Sequence, residues 1–600
     1  MSARGASHSP PDTTRKLLDH LSDVKNRFTP ADRHKKADCL RALQTVEILD
    51  ASSLIQLHEI LCFLRAYPDD PEILALTEDA LAKFALRVDL VQANSSSAER
   101  KKLRDSGIVH TTVYYPYPYE MARWLVEHFP QDVELDWEDE SGLDKVRAIL
   151  PFVVTYLEND ALDDERVSLW EWMKAAKGSS QVSDLQWLLN ALNRSTLPPE
   201  VVRHLYNDAE LLLGWKLREA TASRTLAKFP PERIIYQKSP LLRAEADFWR
   251  TVQEPLPVLT PLAQETGETL IHLFRCALSV RHREFHPLLH ANPQDVWMTS
   301  TQRGLRIVLV GVLPEFRLPL EGYYSFLVLK NGIPVGYGGG APLLDRLEFA
   351  GNIFETFRQG ESIFVFSQVF RAFYQLCGSR SFLVPRYQVG HENAEALSSG
   401  AFWFYYKLGF RPEQPDILRL SEQERSRVTA DPSYRSSSKM LARLAQSDLA
   451  FHLTSKGNQD CHALRPADLA LLVTKYIQER GGGDRATAVR AATKRVARSL
   501  GIADRRRWPA PEQRALERLS PLLVLMPDLA RWSPSEKRAL IQIVKAKGGP
   551  RESEYVRLVR HHARLTRALV DLARSSPSAP LPSCARAPDH SHADRRTIPE

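Results

Sequence analysis

The chain has 600 residues and a mass of 68.1 kDa, room for up to about four domains. With 43% hydrophobic and 26% charged residues it is neither largely disordered nor collagen-like, and a net charge of +7 is too mild at this length to demand nucleic acid or an acidic partner. No stretch approaches the roughly 20 apolar residues of a membrane span, and the polar start Met1-Ser2-Ala3-Arg4-Gly5 lacks the apolar core of a secretory signal. The six cysteines lie far apart with no C-x-x-C pair, so neither a disulfide framework nor a metal site is expected of them. A reducing cytoplasm is the simplest compartment.

Residues 1–12 are rich in Ser and Pro and read as disordered. Over 13–106 the apolar residues keep helical spacing, first Leu40, Leu43, Val46 and Leu49, then Leu54, Leu57, Ile60, Leu61 and Leu64. Pro71 suits the first position of a further helix that runs to about Leu86. Residues 107–262 also read as mainly helical, with breaks at Pro198-Pro199, Pro230-Pro231 and between Pro255 and Pro261. Two features interrupt them: the aromatic segment Tyr114-Tyr115-Pro116-Tyr117-Pro118-Tyr119, read as a packed loop, and an acidic patch from Asp132 to Glu140, read as a solvated turn.

Near residue 305 the period changes to that of strands. Leu305 to Val310, Tyr323 to Lys330, Ile333 to Gly338 and Leu347 to Phe357 are β-rich, and Asn331-Gly332 is a hairpin turn. The turn Arg358-Gln359-Gly360-Glu361-Ser362 opens an amphipathic helix that ends near Cys377-Gly378. A short strand, Ser381 to Val384, and a helix carrying Gly400 to Phe410 follow. Helices return over 437–574 with a basic bias, in Arg485, Arg490, Lys494, Arg495, Arg498 and Arg505 to Arg507, before a Pro/Ser-rich tail at 575–600 that reads as disordered. The fold class is therefore α+β, with a central mixed sheet and its helices over 263–436 between large, mainly helical N- and C-terminal regions.

A strand that turns tightly into a helix leaves backbone N–H groups unpaired at the helix start, and these with the helix dipole favour an anion such as pyrophosphate. Gly360 permits a close approach, Ser362 crowds little, and Arg358 adds positive charge. His282, His286 and His290 recur at four-residue steps, and two His one turn apart can share a metal. Pro287 breaks that helix and Arg281 and Arg283 oppose a cation, so a loop is expected there instead.

The order of elements and the stretch from Asn393 to Pro412 resemble the GNAT superfamily of N-acyltransferases, whose domain commonly ends in N-x-x-A and then F-Y-x-K-L-G-F. Asn393, Ala396, Phe404, Tyr405, Lys407, Leu408, Gly409 and Phe410 stand at the matching places, with roughly five extra residues between the halves. The resemblance covers about residues 305–415. It implies a sheet that splays to admit acetyl-CoA or another acyl-CoA, and an amine on a small molecule, peptide or protein that attacks the thioester directly. Tyr405 matches the Tyr that protonates the leaving thiolate. Arg358, Gln359, Gly360, Glu361, Ser362 and Asn393 fall to the cofactor, although Arg358 stands two residues before Gly360 where the family has three. Glu355, or Glu348, lies on the strand that usually supplies a base.

Two other readings stay open. Fem-type aminoacyl transferases share the fold and use aminoacyl-tRNA, and the basic C-terminal helices admit contact with nucleic acid. A non-catalytic GNAT-like binding module is the other, since more than two-thirds of the chain lies outside the resemblance.

Overall fold

The computed structural model describes residues 11–139, 142–243, 247–431, 433–453 and 464–575. The sequence readings on residues 1–10 and 576–600 lie outside these. Among the described residues no helix is long and apolar enough to cross a membrane.

The N-terminal region is helical, as its spacing predicts. Its helices are stopped and started by side-chain caps. Asp50 accepts from the Ser53 amide at 2.8 Å, and Asp70 from the Ile73 amide at 2.9 Å, just before Pro71 opens the helix Pro71–Ala82. The helix Ala51–Ala66 is apolar nearly all round and is buried from Ile60 to Ala66 without interruption. It is not a separate flank. Glu59 on it is hydrogen-bonded by Thr356 and paired with Arg224, which ties the bundle to the central sheet.

Residues 107–262 are less helical than their sequence suggests. Strands β1 (Thr112–Tyr115), β2 (Val133–Leu135) and β3 (Leu213–Lys216) form an antiparallel sheet in the order β1-β3-β2. The segment read as an aromatic loop is thus partly a strand, because Thr-Val-Tyr-Tyr is β-branched and aromatic throughout.

The central sheet has nine strands: β4 (Thr260–Pro261), β5 (Ala291–Ser300), β6 (Leu305–Val312), β7 (Tyr324–Lys330), β8 (Ile333–Leu343), β9 (Arg346–Ile353), β10 (Ser381–Val384), β11 (Arg411–Pro412) and β12 (Leu449–His452). They lie in the order β11-β12-β10-β9-β8-β7-β6-β5-β4. Neighbours are antiparallel except β9 and β10, which run parallel and are joined by the crossover helix Ser362–Cys377. Asn331 and Gly332 make the expected hairpin turn with φ of 47° and 83°. The Asn331 amide nitrogen donates to the Ala66 and Ile235 carbonyls at 3.0 Å, so the hairpin tip docks on the N-terminal bundle.

Several boundaries differ from the sequence reading. β5 is absent from it because Asn292, Pro293, Gln294 and Asp295 break the apolar pattern. β12 lies beyond residue 436, so the central unit extends past its predicted end. The strand read to Phe357 stops at Ile353, and Glu355–Phe357 is a 3₁₀ turn. The helix read through Gly400 is two helices, Ala394–Ser399 and Ala401–Lys407, because Gly400 takes the left-handed conformation with φ 70°.

The C-terminal helices return as predicted, and one of them enters the sheet's core. The helix Glu552–His561 presents its first turn to β5 and β7. Asp295, fully buried, accepts from the Glu552 amide at 2.8 Å and from the Tyr324 hydroxyl at 2.9 Å. That hydroxyl in turn accepts from the Ser553 amide at 2.6 Å.

Candidate functional site

The parallel pair β9–β10 stays in register only from Arg346 opposite Ser381 to Glu348 opposite Leu383. β10 ends at Val384, and Pro385 after it has no N–H to continue a ladder. From Phe349 to Ile353 β9 stays paired with β8, and its edge towards β10 has no strand partner. Where the strands part, a cavity of about 450 Å³ opens.

Its floor follows from small residues in register. Ser325 on β7, Gly339 on β8 and Ala350 on β9 lie side by side, leaving that face of the sheet nearly bare. On the opposite face a Cβ at Gly351 would lie 2.9 Å from the rings of both Phe326 and Phe366, so the glycine is needed for the helix Ser362–Cys377 to pack. Phe274 and Leu278, with Leu288 from the turn His286–His290, wall one side of the cavity; Phe366, Phe404 and Tyr405 wall another.

Four of the residues singled out from sequence line this cavity: Tyr405, Asn393, Arg358 and Ser362. Tyr405 is 3% exposed, and burial raises its phenol pKa above the ordinary value. Its rings of contact are Phe366, Phe404 and Phe410, and its hydroxyl has no hydrogen-bond partner among the described residues. Asn393 caps the helix Ala394–Ser399, its side-chain oxygen accepting from the Ala396 amide at 3.0 Å. The Ser362 hydroxyl donates to the Arg358 carbonyl at 3.4 Å.

The other five lie elsewhere. Gly360 is buried, and a Cβ there would sit 2.7 Å from the Tyr67 hydroxyl and 2.9 Å from the Phe357 carbonyl. Its missing side chain makes room for Tyr67 of the N-terminal bundle, not for a ligand. Glu361 is 1% exposed and fully engaged, with Arg303 at 2.6 Å and Lys330 at 2.9 Å. Gln359 points outward, its carbonyl accepting from Arg243 at 3.3 Å. Glu355 is exposed on the 3₁₀ turn, and neither it nor Glu348 belongs to the cavity wall.

Residues that sequence reasoning missed complete the site. At the mouth, Glu395 is held between two guanidinium groups, Arg283 at 2.9 Å and Arg358. Hydrogen bonds and charge from these arginines outweigh its burial and hold its pKa at about 2. Beside it the Tyr337 hydroxyl donates to Glu284. Tyr323 and Ser325 face the cavity from β7 and the segment before it. Only the packing of the chain between the helix Gln264–Ser279 and β5 brings Glu284 here; its neighbours in sequence read as a histidine loop. That loop is real. His282 has φ 51° and stacks on Tyr115 with ring centroids 5.2 Å apart, so the three histidines do not share a helix.

The basic C-terminal residues divide. Arg505 pairs with Glu517 at 3.4 Å, and Arg506 and Arg507 with Asp504 at 3.3 and 3.5 Å. Lys494, Arg495 and Arg498 are exposed on the helix Arg485–Leu500 with no acidic partner among the described residues. No protein-family model, curated protein or solved structure matches the chain.

Proposed function

We propose that the chain is a GNAT-like N-acyltransferase that moves an acyl group from acyl-CoA to an amine. The observation that carries this reading is the parting of β9 from β10 beside Tyr405. A thioester lying in that gap has an unpaired strand edge on one side and a buried phenol on the other.

The chemistry then runs as a direct transfer. The amine nitrogen attacks the thioester carbonyl carbon, a C–N bond forms, and the C–S bond breaks. N–H groups on the free edge of β9 are donors for the carbonyl oxygen as it gains charge. The sulfur leaves as a thiolate and takes the Tyr405 proton; the phenol regains a proton from the acylated nitrogen through solvent. Burial favours this role, because it keeps the phenol protonated at neutral pH. Phosphate groups of the donor approach the first amides of the helix Ser362–Cys377 from the Asn393 side, since Tyr67 covers Gly360, and Arg358 meets them by releasing Glu395.

Calorimetric titration of the full chain with acetyl-CoA and longer acyl-CoAs tests the reading, beside a Ser362→Glu variant. Binding by the parent and none by the variant, whose carboxylate would repel the donor's phosphates, supports it. No binding by any acyl-CoA overturns it.

A further inference from the structure

The bare floor of the cavity is surrounded by polar groups that the protein leaves unused. Ser325 is 2% exposed, and its Oγ is buried without any hydrogen-bond partner. Burying a hydroxyl with no partner is costly, and nine-tenths or more of buried polar groups avoid it. The Tyr323 ring folds over Gly339, whose Cα hydrogen leaves just enough space for the phenol oxygen. That oxygen also has no partner among the described residues. Both hydroxyls belong to the lining of one cavity and flank the same glycine.

The charge beside them is also unmatched. Glu284 is exposed, accepts from the Tyr337 hydroxyl and makes no ion pair among the described residues. Its sequence neighbour Arg283 is spent on Glu395. A carboxylate supported by a phenol and left without a cation is suited to an ammonium group. Phe274, Leu278 and Leu288 line the same cavity and offer an apolar surface.

We infer that Glu284, Tyr337, Ser325 and Tyr323 form a binding subsite for a small primary amine that has an apolar stem and a hydrogen-bonding group next to its amino carbon. The ammonium pairs with Glu284. The neighbouring polar group meets the Ser325 and Tyr323 hydroxyls beside Gly339, and the stem lies on Phe274, Leu278 and Leu288. An anionic compound of the same size is refused by Glu284. The inference rests on the acyltransferase reading only for what becomes of the amine, because the recognition itself needs no acyl donor.

The test is direct binding to the full chain, by calorimetry or ligand-observed NMR, without any acyl-CoA. Three probes suffice: 2-phenylethylamine, 2-amino-1-phenylethanol and phenylacetate. The expected order is the amino alcohol tighter than the plain amine, with no binding of phenylacetate. Glu284→Gln should weaken both amines roughly tenfold, the scale of one charge-assisted hydrogen bond. Ser325→Ala should abolish the preference for the amino alcohol while the protein melts at or above the parent temperature, since the hydroxyl it removes has no partner in the fold. That combination separates a binding role from a structural one.

Binding of phenylacetate as tight as that of the amines overturns the inference. So does amine binding that both variants leave unchanged, or no binding by either amine. Failure here and failure of the acyltransferase reading are distinct. Amines that bind when no acyl-CoA does leave this subsite standing and remove the transfer; acyl-CoA that binds when no amine does removes this subsite alone.

Discussion

The Tyr67 hydroxyl lies against Gly360, so a residue of the N-terminal bundle closes the turn from which the crossover helix starts. A Cβ at Gly360 would come within 2.7 Å of that hydroxyl and 2.9 Å of the Phe357 carbonyl. Gly360→Ala therefore forces apart two regions that pack as one, at a cost of about 1–3 kcal/mol. The expected result is a melting temperature several degrees lower, with part of the loss recovered in the Gly360→Ala, Tyr67→Phe double variant, where the nearest clashing atom is gone. A single variant as stable as the parent would mean that Tyr67 does not hold this turn.

The second contact between regions is the entry of the helix Glu552–His561 into the sheet. The Tyr324 hydroxyl donates to Asp295 and accepts from the Ser553 amide at 2.6 Å, all in the dry interior. Tyr324→Phe keeps the ring, strands the Ser553 amide and leaves Asp295 with only the Glu552 amide and the Trp297 indole. A buried group left without its partner costs about 1–3 kcal/mol, and the loss should be visible as a lower urea midpoint. Ser553→Ala should change little, because its contribution is the backbone amide. Equal stability of Tyr324→Phe and parent would remove this network as the anchor of the C-terminal helices.

These two contacts explain what was legible in the sequence. The β7–β8 hairpin, the short β10 and the start of the crossover helix come from local patterns: Asn331-Gly332, a run of β-branched and aromatic residues, and a turn with Gly. Arg358 and Ser362 follow from the turn that opens the crossover helix, and Tyr405 and Asn393 from the resemblance of the stretch 393–412 to the GNAT ending. Gly360 was legible as a glycine that something must approach, but what approaches it is a tyrosine almost 300 residues away in sequence. Strand β5 was hidden because Asp295 is a buried carboxylate, paid for by Tyr324 and the Glu552 amide rather than excluded from the core. Glu284 and Ser325 have no local signature at all. They become a site only where three strands place small residues in register.

Acid should destabilise the protein in two overlapping windows that start at different pH. Burial lowers the pKa of His58 to about 3, below the ordinary 6.5. As pH falls from about 6.5 the unfolded chain takes up a proton that the folded chain refuses, so stability is lost on that descent. Glu395, at about 2 against the ordinary 4.5, contributes stability that is present above 4.5 and is lost as pH falls from there toward 2. His58→Leu should reduce the fall in melting temperature as pH drops below 6.5; burial also lowers His290, to about 4, so part of that fall remains. Glu395→Gln should leave the range above pH 4.5 unchanged and reduce the fall below it, with a cost at pH 7 of up to about 1 kcal/mol because the pair is partly exposed. If the acid loss above pH 5 is as large in His58→Leu as in the parent, the buried imidazole is not a source of it.

The Tyr405 hydroxyl gives the sharpest separation of chemistry from folding. It touches no hydrogen-bond partner among the described residues, while its ring packs against Phe366, Phe404 and Phe410. Tyr405→Phe keeps all of that packing and removes only the oxygen, so the melting temperature should hold within about a degree. If the phenol protonates the leaving sulfur, turnover of an amine found by the binding series should fall by about 10²-fold or more with little change in its KM. The loss should shrink with acyl donors whose thiolate is a better leaving group, because these need the proton least. Unchanged turnover in a folded Tyr405→Phe variant would remove the acid role and leave the parted strands as a binding cleft whose proton comes from water.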